Sequence, residues 1–417
     1  MAILKRFCIY LWFVIVMVCT MVLLMWAVYS IPVQNIRKNV KESATILTQT
    51  PHFLWYKHRV PGGNIDKITD ARMLTMTSFL GRSDTFRDSM LNPEIFHELW
   101  AHRNLAISLE KNTLDGINVS DYPRFWHGYL VFLKPLSLLF NLWHIRIINL
   151  ILQLALLISI LVQMYKRLGI KHCVAFITAM CFLNPYTSWM CLEYATDINI
   201  MLLAVLWVLL NKNPKDNYMF FIIGAVTILF DFLTFPLITL GIPLIVYVCL
   251  YQRSFKENIF CVLRNSFLWG VGYLCMISSK WGIATLLTGQ NVWKEGWDNV
   301  AHRTYGYVPA DSILESNLNF QKAVQLNFDE IYGTYAGFYF LFFFVSVLAG
   351  CLFFHYRLRK EAKAVILLGI SLMPFVWYAV FINHSVVHPY MTYKILIITI
   401  YAILAAIVCC LTPKVKR

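Results

Sequence analysis

Long apolar stretches alternate with short polar turns along most of this chain, and two longer polar segments interrupt that pattern. Each apolar stretch is close to the ~20 residues that a helix needs to cross a bilayer. The ten predicted spans cover residues 7–31, 147–165, 173–189, 195–211, 218–233, 235–252, 265–287, 335–355, 363–382 and 391–411. The pattern therefore predicts an all-α integral membrane protein with about ten transmembrane helices.

The two polar segments divide what we predict to be a single polytopic membrane domain over residues 1–417. The expected parts are a first transmembrane helix at 7–31, an external loop with short juxtamembrane helices at 32–146, transmembrane helices 2–7 within 147–287, a second external loop at 288–334, and transmembrane helices 8–10 within 335–417. The first stretch is longer than a signal-peptide core and lacks a small-residue cleavage site. We therefore predict an uncleaved anchor.

Basic residues between the spans predict the orientation, because cytoplasmic loops of membrane proteins carry an excess of Lys and Arg. The basic clusters are Lys5 and Arg6; Lys166, Arg167 and Lys171; Lys212 and Lys215; Arg253 and Lys256; Arg357, Arg359, Lys360 and Lys363; and Lys414, Lys416 and Arg417. With ten spans, all of these clusters fall on one side. We expect a multi-pass plasma-membrane protein with both termini in the cytoplasm and its polar loops outside.

Composition narrows the class of protein further. Hydrophobic residues make up 59% of the chain and charged residues only 14%, whereas soluble domains are about 25% charged. The net charge of +14 comes from the basic turns, so it does not indicate nucleic-acid binding. The 11 cysteines lie almost wholly within apolar stretches. They show neither metal-site nor disulfide spacing, so we predict that they are small core residues.

The first external loop contains the most informative polar run, residues 62–72. Asp66 and Asp70 are four residues apart, so on a helix they share one face, with Arg72 nearby. A carboxylate there can act as a general base for a hydroxyl, or hold a divalent cation against a phosphate. Alternatively, Asp66 is an N-cap after the glycine turn and Asp70 favours the helix dipole. The spacing leaves both interpretations open.

The loop ends in an aromatic run, residues 121–129, followed by a short apolar segment that contains Pro135. This segment, 130–140, is too short to cross a bilayer, so we expect it to lie at the interface or to re-enter. Trp126 and Tyr129 are predicted interfacial residues. His127 is predicted to be a hydrogen-bonded histidine or a substrate ligand.

Ionisable residues near the outer ends of the spans are informative, because burying a charge in a membrane costs about 2.5–3.5 kcal/mol on insertion scales. They are Arg146, Glu193, Asp197, Asp231, Lys280, His384, His388 and Lys394. Converging cations suit a lipid-linked phosphate, whereas Asp231 and Lys280 also suit a structural ion pair. His384 and His388 are spaced like metal ligands, but no carboxylate is adjacent, so hydrogen bonding is predicted instead.

The second external loop predicts an amphipathic helix. Apolar residues recur at helical spacing over residues 290–304, and Trp293 and Trp297 fall on one face. The aromatic face suits either a membrane surface or a sugar ring. His302 and Arg303 follow on the same helix and can assist a phosphate site.

This arrangement resembles the GT-C superfamily of membrane glycosyltransferases, in which one span, a large external loop with an acidic motif and many further spans follow a cytoplasmic N-terminus. More locally, parts of the chain resemble multi-pass membrane proteins of Gram-positive bacteria. The segments that carry the local resemblance are Asp66 to Leu74, Phe125 to Leu130, Asp231 to Pro236 with Gly241-Ile242-Pro243, and Asn383-His384-Ser385 with His388.

The superfamily resemblance implies a polyprenyl-phosphate-linked sugar donor and a catalytic Asp or Glu in the first external loop. Here that role falls on Asp66 or Asp70. The chain departs from the superfamily pattern because it has no tight Asp-x-Asp or Asp-Glu pair, which leaves open a divalent cation such as magnesium or manganese.

Our first hypothesis is therefore a glycosyltransferase of the outer membrane face, acting on a glycan, glycolipid or protein of the cell envelope. Asp66 or Asp70 is the predicted catalytic residue. The predicted substrate-binding residues are Arg72, His127, Asp231, Lys280, His302, Arg303, His384 and His388. The alternatives are a transporter or flippase of a lipid-linked saccharide, which predicts charges at mid-membrane, and a non-catalytic subunit of an envelope polysaccharide assembly.

Overall fold

A computed structural model describes residues 2–50, 61–95, 101–213, 218–251, 253–305, 318–332, 356–358 and 361–413. Most of these residues are helical, as the apolar pattern predicts. The helices are α1 (Ala2–Tyr29), α2 (Val33–Gln49), α3 (Lys67–Thr77), α4 (Thr85–Leu91), α5 (Ala101–Glu110), α6 (Leu130–Leu139), α7 (Leu142–Leu168), α8 (Ile170–Cys181), α9 (Pro185–Met190), α10 (Leu192–Leu210), α11 (Met219–Phe230), α12 (Ile238–Leu250), α13 (Phe255–Thr288), α14 (Val292–Tyr305), α15 (Phe320–Tyr332), α16 (Ala362–Ile370), α17 (Met373–Val380), α18 (Ile382–Val387), α19 (Pro389–Thr392) and α20 (Ile397–Cys410).

Two short antiparallel ribbons accompany the helices. In the first polar loop, β1 (Pro93–Ile95) pairs with β2 (Val119–Asp121), with Glu94 opposite Ser120. Near the C-terminus, β3 (Tyr356–Leu358) pairs with β4 (Leu411–Pro413). A 3₁₀ turn, Tyr393–Leu396, joins α19 to α20.

Six of the described helical segments are long and apolar enough to cross a bilayer, which supports the prediction of an all-α membrane protein. They are Phe7–Tyr29, Leu142–Leu168, Leu192–Leu210, Phe255–Thr288, Ala362–Val380 and Pro389–Cys410. Four further apolar helices are shorter: Leu130–Leu139, Ile170–Cys181, Met219–Phe230 and Ile238–Leu250. The predicted span 335–355 lies outside the described residues, so the number of ten spans stays a prediction.

The predicted span 173–189 differs from what the structure has. Its helix α8 ends at Cys181, and a new helix, α9, begins at Pro185. Asn184 has a left-handed backbone, with φ of +52°, and Pro185 occupies the first turn of α9, where its missing N–H costs nothing. The chain therefore turns at the end of the bundle instead of continuing as one straight helix.

The first polar loop folds onto the helical bundle through amphipathic helices. In α2 the buried residues Ile36, Val40 and Leu47 recur at helical spacing and join one hydrophobic core with α1, α3, α6 and α13. A second core is built mainly from α7, α8, α10, α12 and α20. The helix predicted in the second external loop is present as α14, and Trp293 and Trp297 pack edge-on against Trp281 of α13.

Two glycines allow α11 and α13 to approach closely. A Cβ atom on Gly224 of α11 would lie 2.0 Å from the carbonyl oxygen of Trp269, and one on Gly272 of α13 would lie 2.1 Å from that of Phe221. Small residues at helix interfaces in membranes permit this kind of backbone contact. The pairing of α11 with α13 therefore depends on glycine at both positions.

We predict that Gly272→Ala destabilises the protein by about 1–3 kcal/mol, because the added methyl group overpacks the contact between the two helix backbones. The matched control is Gly270→Ala on the same helix, where a Cβ atom meets nothing within 4 Å among the described residues. Thermal unfolding of the purified protein in detergent micelles measures both. Equal melting temperatures for the two variants would contradict the close contact.

Candidate functional site

The turn that leads into α3 is held by segments from three other parts of the chain. The Gly62 amide donates to Glu330 Oε2 at 2.8 Å, and its carbonyl oxygen accepts from Tyr393 Oη at 2.9 Å and from Asn184 Nδ2 at 3.0 Å. Gly62 has φ of +66°, and a Cβ atom there would lie 2.8 Å from the Glu330 carbonyl oxygen. Only glycine combines this φ with this approach. The turn thus fixes where α3 begins.

Asp66 is the N-cap of α3, the structural role that the sequence left open. Its Oδ1 accepts from the amides of Ile68 and Thr69 at 3.0 and 3.1 Å, and its Oδ2 accepts from Thr69 Oγ1 at 2.9 Å. Its own amide faces Cys191 Sγ at 3.2 Å. A carboxylate offers about four acceptor positions, so these three bonds leave Oδ2 able to accept another proton donor.

Asp70 lies one turn further along α3 and is fully buried. Its Oδ1 accepts from the Leu192 amide at 2.9 Å, and its Oδ2 lies 3.7 Å from Nη2 of Arg146, which is also fully buried. Arg146 Nη1 in turn donates to Thr50 Oγ1 at 3.0 Å. Asp70 thereby joins α3 to α7 and α10, and these contacts give it a positioning role behind Asp66.

The bend between α11 and α12 is surrounded by buried carboxyl groups. Asp231 accepts from the amides of Leu233 and Thr234, both at 2.8 Å, which closes an Asx turn. From α10, Glu193 accepts from Thr234 Oγ1 at 3.0 Å, and Asp197 accepts from the Phe235 amide at 3.2 Å. These bonds hold Leu233 in its left-handed conformation, with φ of +69°. The carboxyl groups therefore shape a rigid loop beside α3.

Arg303, at the end of α14, is fixed by His384. Arg303 Nη1 donates to His384 Nδ1 at 2.8 Å, and since a guanidinium has no acceptor, this nitrogen must be the unprotonated one. Burial lowers the pKa of His384 well below its usual value, and the charge of Arg303 lowers it further. The proton of the neutral ring therefore sits on Nε2. His384 is a positioning residue that aims the guanidinium.

Residue His388 lies next to His384, with ring centroids 5.1 Å apart. Burial, together with the charge of Arg303, lowers the pKa of His388 to about 4, so the ring is neutral at neutral pH. Its Nδ1 lies 3.2 Å from Tyr390 Oη. His302 is held nearby, since its carbonyl oxygen accepts from Asn383 Nδ2 at 2.7 Å.

These groups form one site at the predicted outer end of the bundle. Asp66 is close enough to act electrostatically on His388 and Tyr390, and Arg303 acts on His388 as well. The charge of Asp231 also acts on Arg303. We call Asp66, Asp231, Arg303, His384 and His388 the central site. Its residues come from both polar loops, from the bend between α11 and α12, and from the turn between the last two apolar segments.

Arg72, His127 and Lys280 form a neighbouring cluster. Arg72 Nε lies 3.0 Å from Glu94 Oε2, and its guanidinium covers the Tyr122 ring at 5.3 Å. His127 Nε2 lies 3.2 Å from the Tyr122 carbonyl oxygen, and burial lowers the pKa of this histidine well below its usual value. These residues form a wall beside the central site.

Lys280 does not form the predicted ion pair with Asp231. Its ammonium group donates to the Met90 carbonyl oxygen and to Asn92 Oδ1, both at 2.5 Å, and it lies 5.4 Å from the centre of the Trp126 ring. The end of α4, which carries Met90 and Asn92, packs against α13 at this position and supplies the neutral acceptors that a buried ammonium needs. Lys280 thereby ties the first polar loop to α13.

An apolar groove begins beside the central site. Among the described residues it has a volume of about 660 Å³ and is lined almost entirely by apolar side chains. Leu237 and Phe381 lie at the end next to the Asp231 bend and α18, and Phe255 and Val365 lie at the other end. A groove of this kind suits a hydrocarbon tail whose polar head lies in the central site.

Several residues around the site were not among the predicted ligands. The sequence indicates three of them as ionisable groups near the ends of apolar stretches: Glu193, Asp197 and Arg146. Glu330 and Tyr390 carried no signal beyond their position in or near a polar segment. Arg124, which lies 3.1 Å from Glu295 Oε1, is one basic residue among many in the first loop.

Comparison with known proteins does not assign the chain to a family. No family model matches the chain, and no curated protein or solved structure matches it.

We predict that Gly62→Ala destabilises the protein more than Gly81→Ala does. Both glycines have positive φ, of +66° and +84°, but a Cβ atom at Gly81 meets nothing within 4 Å among the described residues. The difference between the variants therefore reports the contact with Glu330 and Tyr393, and overpacking predicts a difference of about 1–3 kcal/mol. Thermal unfolding in micelles gives the comparison, and equal losses would show that the Gly62 contact is not required.

Proposed function

We propose that this chain is a membrane glycosyltransferase that moves a sugar from a polyprenyl-phosphate-linked donor to a cell-envelope acceptor. The observation that carries the proposal is the convergence of Asp66, Arg303 and His388 from three separate polar segments. A carboxylate with spare acceptor capacity and a fixed guanidinium, both near the same imidazole, are the groups that transfer from a phosphate leaving group requires. The groove beside the site suits the polyprenyl tail.

In this mechanism Asp66 takes the proton of the acceptor hydroxyl. The acceptor oxygen attacks the anomeric carbon, and the bond from that carbon to the phosphate oxygen breaks with inversion. The leaving polyprenyl phosphate carries away the bonding electron pair, and Arg303 stabilises the charge that develops on it. The neutral His384 keeps the guanidinium aimed at the phosphate, since it accepts a hydrogen bond from Arg303 Nη1.

Aromatic groups supply the surroundings of the sugar. Tyr390 and Phe232 lie next to the central site, and Tyr122 lies beside Arg124 with the guanidinium 4.7 Å from the ring centre. Asp70 and Glu193 hold the surrounding backbone rather than contacting substrate. The other predicted ligands have a supporting role, because they hold the walls of the site. They are Arg72, His127, Lys280 and His302.

The proposed topology has ten spans, both termini in the cytoplasm and the central site on the outer side of a bacterial plasma membrane. The six long helices and the shorter apolar helices α8, α11 and α12 account for nine of the proposed spans. The tenth is residues 335–355. The central-site residues all lie at helix ends that this topology places outside, and the basic turns lie at the opposite ends.

A carrier of a lipid-linked saccharide is a second candidate. Interrupted helices favour it, since α8 gives way to α9 around Asn184 and α16 gives way to α17 at Ser371, and broken helices are common at carrier substrate sites. In a carrier, the lipid-linked sugar would cross the membrane unchanged. The two candidates therefore differ in the fate of the donor when the site is disabled.

We predict that Asp66→Asn abolishes transfer without unfolding the protein. Asn caps a helix about as well as Asp, so the substitution keeps the start of α3 and removes the charge. The matched control is Asp84→Asn, because Asp84 is also an N-cap in the same loop and accepts from the Arg87 amide at 2.9 Å. A deletion strain complemented with each variant at equal protein level, analysed for envelope glycans, makes the measurement.

In that experiment the transferase loses its product in Asp66→Asn and accumulates the lipid-linked donor on the outer leaflet, whereas Asp84→Asn restores wild-type glycan. Accumulation of the donor on the inner leaflet would instead indicate that the protein is a carrier and not a transferase. Full restoration by Asp66→Asn would rule out the proposed base.

We also predict that Arg303→Gln weakens binding of polyprenyl phosphate, which is the product whatever the sugar. A hydrogen bond to a charged group contributes about 1.5–3 kcal/mol, so the expected loss is about 10–100-fold. Lys294→Gln is the matched control, because Lys294 lies on the same helix and pairs only with the exposed Asp298 among the described residues. Titration of the purified protein with polyprenyl phosphate in mixed micelles measures the affinities. Equal affinities for the two variants would contradict a phosphate role for Arg303.

A further inference from the structure

A histidine and two cysteines that are far apart in sequence meet at the end of the bundle opposite the central site. They are His172 near the start of α8, Cys249 near the end of α12 and Cys409 near the end of α20. One possible ligand atom from each lies within 4.8 Å of the other two. Because α12 has 13 residues, this cluster lies about 20 Å from the Asp231 bend, so it is separate from the proposed transferase.

The cluster has the properties of a ligand set. His172 and Cys249 are buried, with 9% and 6% of their surface exposed, and Cys409 is partly buried. His172 Nδ1 is buried and has no hydrogen-bond partner among the described residues. The His172 ring lies beside two thiols that interact with each other. A buried polar atom without a partner is costly, and a bound cation removes that cost.

Basic groups lie close to the cluster. Lys363 and Lys171 are near the His172 imidazole, which coordinates a metal ion in its neutral form. Lys363 donates to the Cys249 carbonyl oxygen at 3.2 Å and acts electrostatically on both thiols. The metal ion itself displaces the thiol protons, because the thiolate is the form of cysteine that binds metal.

We propose that His172, Cys249 and Cys409 bind one thiophilic metal ion, either zinc(II) or copper(I). Thiolate and imidazole ligands suit both ions. Ligand atoms around a shared zinc lie about 3.5–4 Å apart, given bond lengths of about 2.0–2.3 Å, so small side-chain rotations bring the cluster to that geometry. Binding forms two metal–thiolate bonds and one metal–imidazole bond and releases the two thiol protons, with no transfer of electrons.

Such an ion joins the ends of three helices that belong to one hydrophobic core. It would fasten α8, α12 and α20 where the chain leaves the bundle, close to the ribbon in which β4 follows directly after α20. Because an unfolded chain does not hold these three ligands together, binding energy contributes to the stability of the folded state. The expected role is therefore structural, and it is independent of the proposed transferase.

The test uses the full-length protein purified in detergent with a non-chelating reductant. The metal-free form is titrated separately with zinc(II) and copper(I), and metal content is measured by mass spectrometry after removal of excess metal. We expect about one ion per chain from one of the two metals, thiolate-to-metal absorption when cobalt(II) replaces zinc, and a higher melting temperature in the metal-bound form.

The variants Cys249→Ser, Cys409→Ser and His172→Gln should each weaken binding by at least about tenfold, since even outer-shell changes cost that much. Cys410→Ser and Cys261→Ser are the controls, because Cys410 adjoins the cluster and Cys261 is buried elsewhere on α13. The proposal is overturned if neither metal binds at one equivalent, or if controls and ligand variants lose metal equally.

Discussion

The close contact of Gly62 with Glu330 and Tyr393 is the constraint on which the central site depends. Its partners lie 268 and 331 residues away in sequence, so the turn before α3 exists only when the second polar loop and the last span are in place. A buried backbone amide and carbonyl must find partners, and one of these partners, Tyr393, follows His388 closely in the chain, where Asp66 acts on the histidine. The position of Asp66 is therefore a property of the whole bundle.

Buried charged groups elsewhere in and around the site also depend on partners from other parts of the chain. Asp70 faces Arg146, Asp231 accepts two backbone amides, and Lys280 donates to a carbonyl and an amide oxygen. None of these contacts needs to add net stability, because burying charged groups costs about as much as pairing them returns. Their effect is to penalise every other arrangement of the loops. We infer that they specify the geometry that a transferase site requires.

The sequence predicts the parts of this structure that depend on local pattern. Hydrophobic periodicity predicts the membrane class and the amphipathic helix that carries Trp293 and Trp297, and the Asp66 turn is consistent with an N-cap. Periodicity cannot predict the turn at Asn184, because a left-handed residue before a proline leaves the apolar stretch unbroken. It also cannot bring together His172, Cys249 and Cys409, since no spacing rule links ligands on three helices. Partners such as Glu330 depend on tertiary packing alone.

The segment that leads into α3 contacts both hydrophobic cores, and this arrangement helps to distinguish an enzyme from a carrier. Ile65, directly before Asp66, belongs to the core around α10 and α12, whereas Ala71 and Leu74 belong to the core around α1 and α13. Carriers work by moving one half of the bundle against the other around a fixed site. Such a motion here would have to deform the short segment between Ile65 and Ala71, which contains the Asp66 cap of α3. A site that bridges both cores is suited to chemistry at one membrane face.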